Sequence, residues 1–104
     1  MSKLIKMISE LIDEQLDCAT DYAHHAVKYR EEYPSLAKVL NDMSMDEMRH
    51  VTALHEEVVK AIENHRKTAG EPPAAMMAVY DYLHEKQIEK ANTVKNYQSQ
   101  YRGS

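Results

Sequence analysis

The sequence predicts an all-α fold of three helices, the first two pairing as an antiparallel hairpin with the third beside them. Three observations predict it. Only two glycines and three prolines interrupt 104 residues, so long stretches lack the punctuation that turns and short strands require. The breaks that do occur fall at Tyr33-Pro34 and at the run TAGEPP, Thr68 to Pro73. Between these breaks, apolar residues recur at helical spacing. A chain of this length fits one domain, residues 1–104, with a core large enough to need neither disulfide nor metal staples.

The first helix is expected near residues 3–32. Its apolar stripe runs through Leu4, Ile8, Leu11, Ile12, Gln15, Ala19, Tyr22, Ala26 and Tyr29, leaving Asp17 on the opposite face. Pro34, Ser35 and Leu36 open a second helix near 35–67, since proline is tolerated in a first turn. Its stripe passes through Leu36, Leu40, Met43, Glu47, His50, Val51, Leu54, Val58, Ala61 and His65. A flank of Ser44, Met48, His55, Val59 and Ile62 widens it, the kind of sector that an extra helix, from this chain or another, covers. Gly70 stands where a helix C-cap belongs, and Pro72 and Pro73 precede a third helix near 73–101. That helix shows Tyr80, Leu83, His84, Gln87, Ala91, Val94, Gln98 and Tyr101, a polar stripe for an inward face.

Composition excludes several classes. A net charge of -4, with no basic stripe, argues against nucleic-acid binding. No apolar run reaches the ~20 residues of a membrane span, and Met1 to Ile12 reads as the start of an amphipathic helix without a signal-peptide core. A cytoplasmic location is expected. The single cysteine, Cys18, cannot form an internal disulfide and reads as a small packed residue. With no Phe or Trp and seven tyrosines, the core is aliphatic and methionine-rich, with tyrosine hydroxyls at its edge.

The chemistry centres on Glu47 and His50. A carboxylate among Leu, Met and Val requires compensation by a proton, a countercharge or a cation. Residues three apart on a helix point the same way, so this Glu-x-x-His offers one oxygen and one ring nitrogen to a single ion. Hard oxygen with imidazole suits iron or manganese, and zinc as well. The same pair also reads as a polar network satisfied by Gln15, Tyr22 or an arginine, fixing helix register without metal. His84 with Gln87 reads as a hydrogen-bonded interior or interface pair, His24 and His25 as solvated. Folding the chain back around Gly70 sets His84 opposite Glu57.

EQLDCATDYAHHA in the first helix and LAKVLNDMSMDEMRHVTALH in the second resemble the helical hairpin of the ferritin-like superfamily, rubrerythrin and encapsulated-ferritin types above all. The resemblance spans roughly residues 8–66, with DEMRH similar to the family's metal-binding stretch. It implies an iron-type ion held by Glu47 and His50. In that family a first-helix glutamate seven residues before a tyrosine supplies a further ligand; counting back from Tyr22 gives Gln15, a neutral amide and a poorer ligand for a hard cation. The second Glu-x-x-His that the family needs is absent from this sequence. The resemblance therefore implies a ferritin-like bundle completed by oligomerisation, a homodimer or larger, with the missing half on a two-fold-related chain. No catalytic residue is assigned, and the expectation leans away from an enzyme. The alternative is a non-catalytic helical interaction or assembly protein with a degenerate, metal-free site, of the kind the chain also resembles among small proteins of bacteria and their phages.

Overall fold

The computed structural model describes residues 2–103, and apart from Ser2 also their side chains. Three helices, α1 (Ser2–Tyr29), α2 (Pro34–Ala69) and α3 (Ala74–Arg102), account for nearly all of them, and no strand occurs among the described residues. The fold is all-α, as the scarcity of glycine and proline predicts.

The helix ends follow from local chemistry. α1 stops at Tyr29, three residues short of the expected end. Tyr33 precedes a proline, which keeps it out of the helical region, and stands at φ -132° and ψ 69°. The chain must reverse before that residue, which leaves Arg30 to Tyr33 as the connection. Pro34 then opens α2 at its first position, where its missing N–H costs no hydrogen bond. α2 ends at Gly70, whose φ of 82° with ψ of -169° is a conformation essentially restricted to glycine. α3 closes on Gly103 in the left-handed region, its N–H donating to Ser99 O and Gln100 O. Arg30 Nη1 donates to Gln100 O at 2.8 Å and Tyr101 O at 3.3 Å. A cation from the first connection thus serves carbonyls in the last turn of α3.

The contacts fix the directions of the helices. Ser44 meets Ala19 and His50 meets Gln15, so α1 and α2 run in opposite directions. Gln87 meets Ser9 and Arg30 meets Gln100, so α3 runs parallel to α1. α2, with 36 residues, spans about 54 Å at about 1.5 Å per residue and sets the 56 Å length of the molecule. α3 packs chiefly against α1 and touches α2 less.

The interior has two halves. Around the start of α1, Ile5, Ile8, Ile12 and Leu16 close on Val58 and Ile62, with Met77 and Tyr80 of α3 against them. Towards the other end the buried residues shrink to Ala19, Ala23, Ala26, Ala37 and Ser44, beside Val94 and Gln98, small side chains that let the helix backbones approach. Here Ser44 Oγ donates to Ala19 O at 2.8 Å and accepts from Gln98 Nε2 at 3.0 Å, a buried junction of all three helices. Gln87 Nε2 donates to Ser9 O at 3.4 Å. The polar stripe of α3 is therefore an inward face whose two glutamines have partners within this chain.

The inward faces of α1 and α2 are rotated from the expected ones. Leu4 and Leu11 are exposed, whereas Ile5, Leu16 and Ala23 are buried. On α2, Leu36 and Met43 are exposed, and Ala37, Asn41, Ser44 and Ile62 are buried. The cause is α3. A helix packed against two neighbours buries the arc between them rather than the arc facing one of them, so both stripes turn toward α3, and Ser44 and Ile62 of the α2 flank become interior while Val59 stays exposed. Cys18, expected to be packed, is exposed for the same reason. Asp17 is exposed as expected, although Lys90 of α3 reaches it at 3.2 Å and Asp13 at 3.6 Å.

Candidate functional site

Gln15, Glu47 and His50 come together. Antiparallel packing of α1 on α2 sets Gln15 across from the helical turn that carries both the carboxylate and the imidazole. His50 Nδ1 lies 3.1 Å from Gln15 Oε1 and 3.5 Å from Glu47 Oε1. The three donors belong to the groove between α1 and α2 on the side away from α3, beside Leu11, Ala53 and Leu54, which with Gln15 and His50 line a shallow cavity.

Their surroundings differ from the expectation of an inward pair. The His50 side chain is 59% exposed and that of Glu47 20%. The rotation of α2 toward α3 places this turn at the rim of the three-helix core, and Glu47 does not bear the desolvation of a carboxylate sealed among apolar residues. Tyr22 is half-buried, and no hydrogen bond joins it to the pair.

The donor set suits a cation on geometric grounds. Ligand atoms on one ion are separated by about 3.0 Å in an octahedron with bonds near 2.1 Å, and by about 3.3 Å in a tetrahedron with bonds near 2.0 Å. The observed separations of 3.1 and 3.5 Å fall close to these edges. Two oxygens and one imidazole nitrogen make a set for iron, manganese or zinc. Among the described residues, no three His, Cys, Asp or Glu side chains gather into one potential metal cluster, so a single chain supplies one carboxylate, one imidazole and one amide. Further ligands would be water or groups of another chain.

Elsewhere the structure forms a constellation that the sequence reading missed. His84 does not face Glu57. Its ring stacks on that of His55 of α2, centroids 4.8 Å apart at 17°, and on Tyr80 at 5.7 Å and 6°. His55 Nε2 is buried without a hydrogen-bond partner. Burial and, after it, the neighbouring His84 hold the His55 pKa below the ordinary imidazole value, while Glu56 opposes the shift. The signal was present in the spacing, for His55 and His84 stand fifteen residues before Gly70 and fourteen after it. His24 and His25 are exposed as expected, His24 edge-on to Tyr97.

No family model, curated protein or solved structure matches the chain. Among the described residues no helix is long and apolar enough to cross a membrane. What the chain does must therefore be argued from the donors themselves.

Proposed function

We propose that this chain is a ferritin-like metal-binding protein in which Glu47 and His50, with Gln15 beside them, hold an iron-type divalent cation, and that a second copy completes the site. The approach of both Gln15 Oε1 and Glu47 Oε1 to His50 Nδ1, at 3.1 and 3.5 Å, carries the proposal. Two features support a second copy as the missing half. The α1/α2 face around the donors bears exposed Leu4, Leu11 and Met43, apolar surface that a two-fold-related α1/α2 pair would cover to form a four-helix bundle. Charge supplies the second argument. One chain offers a single carboxylate, whereas two copies offer two, enough to neutralise one divalent ion. Gln15 in place of a carboxylate thus favours one ion per dimer, half an ion per chain. The proposal concerns binding and includes no reaction.

A second reading, a metal-free helical assembly protein, is favoured by the contact between His50 and Gln15, which gives the imidazole a partner without any ion. Elemental analysis of protein purified without chelator, with its mass from light scattering, separates the two readings. About half an iron or manganese per chain in a dimer, lost in Glu47→Gln with helicity retained, supports the metal site. A folded oligomer that takes up no metal, even after anaerobic iron addition, refutes it and leaves the assembly protein.

A further inference from the structure

The stacked imidazoles of His55 and His84 are separate from the Gln15, Glu47 and His50 group. They join α2 to α3, whereas that group lies in the α1/α2 groove. We infer that they form a second site, a bis-imidazole clamp for a borderline divalent transition metal of the zinc, nickel or copper class.

Separation is the first argument. Two imidazoles bound to one ion at about 2.0 Å, with a near-tetrahedral angle between them, place their ring centroids about 5 Å apart. The centroids of His55 and His84 lie 4.8 Å apart, so a shared ion requires no movement of α2 relative to α3. Stacked rings point their lone pairs side by side, and both rings must turn about χ2 to converge. That torsion is broad and soft for histidine.

The unpartnered nitrogen is the second argument. A buried imidazole nitrogen without a hydrogen bond is uncommon in a folded chain and calls for a ligand. His55 Nε2 is such an atom.

Access is the third. A cavity of about 260 Å³ adjoins both rings, with Met48, Thr52, Gln87 and the exposed Lys95 also in its wall, and leaves room for the water ligands that two histidines alone would not replace. Nitrogen donors with no carboxylate in the cavity wall select against magnesium and calcium and in favour of borderline ions. The bound ion would tie α3 to α2, the pair of helices in least contact.

The test uses metal-free full-length protein in the Glu47→Gln background, which removes the other proposed site, titrated with zinc chloride by calorimetry. The expected result is one zinc per chain, with affinity falling more than about tenfold in Glu47→Gln/His84→Gln and in Glu47→Gln/His55→Gln, since even outer-shell changes at metal sites cost about ten- to a hundredfold. Imidazole nitrogen NMR of the wild type covers the case in which a histidine variant fails to fold. Zinc should move the His55 and His84 resonances and leave those of His24, His25 and His65 in place. No zinc uptake by the Glu47→Gln protein, affinity within twofold after His84→Gln, or shifts confined to the other histidines would overturn the proposal.

Discussion

Replacing Ser44 by alanine removes one oxygen from the middle of the molecule and disconnects three helices. Ser44 is fully buried, and its hydroxyl both donates to Ala19 O and accepts from Gln98 Nε2. The Ala19 carbonyl keeps its own helical hydrogen bond. Gln98, buried at 9% exposure, would be left with an unpaired donor, at about 1 to 3 kcal/mol. At about 2.1 cal/mol/K of unfolding entropy per residue, a chain of this size loses roughly 5 to 14 °C of thermal midpoint for that penalty. Gln98→Leu should cost less, because Ser44 retains its bond to Ala19 O. The double variant leaves no orphan and should be less destabilised than the two single changes added together, by about 1 kcal/mol or more. Urea and thermal unfolding followed by circular dichroism, at one protein concentration, measure all four corners of the cycle. A shift under about 2 °C for Ser44→Ala, or strict additivity in the double variant, would show that the junction does not hold α3 onto the first two helices.

Other perturbations separate core, loop, surface and titration. Leu16→Ala, at a residue with no exposure, should cost about 2 to 5 kcal/mol in the same unfolding assay. Gly70→Ala should cost about 1 to 3 kcal/mol; a Cβ there meets no atom within 4 Å, so the whole penalty is backbone strain at φ 82°. Leu11→Lys, on the exposed α1/α2 face, should shift light scattering toward the monomer while leaving helicity intact, and an unchanged mass would count against a dimer through that face. Because the folded His55 pKa lies below the unfolded value of about 6.5, its contribution is complete above that value and declines as pH falls through the folded pKa. Metal-free protein should therefore lose thermal stability between about pH 7 and pH 5 more steeply than His55→Gln does, and equal slopes would contradict the assignment.

Helix existence and the breaks at Pro34 and Gly70 were legible in the sequence because they depend on local chemistry. The inward stripe of α3 was legible too, since Gln87, Val94 and Gln98 are the residues it buries. The rotations of α1 and α2 were not. Periodicity finds the most apolar arc of a helix, and on α1 that arc contains both the buried Ile8 and Ile12 and the exposed Leu4 and Leu11. Which edge faces inward depends on where a third helix settles, a non-local fact. The same rotation carried His50 from an expected interior to the surface while keeping it beside Gln15. The meeting of His55 with His84 depended on the register across the Gly70 connection, where an offset of two residues replaced Glu57 by His55 as the partner.

The parallel course of α3 along α1 also bears on the order of events as the chain folds. Contacts between α1 and α2 join residues 25 and 35 apart, whereas those between α1 and α3 join residues 70 and 78 apart. Closing the longer loop costs about 1 kcal/mol more in chain entropy than closing the shortest of these, which favours the meeting of α1 with α2 over the docking of α3 on α1. Until α3 docks on α1, the groove that receives it is open to any copy of the segment. In dilute solution its own tether wins. At higher concentration the α3 of a neighbour is expected to compete for the same groove.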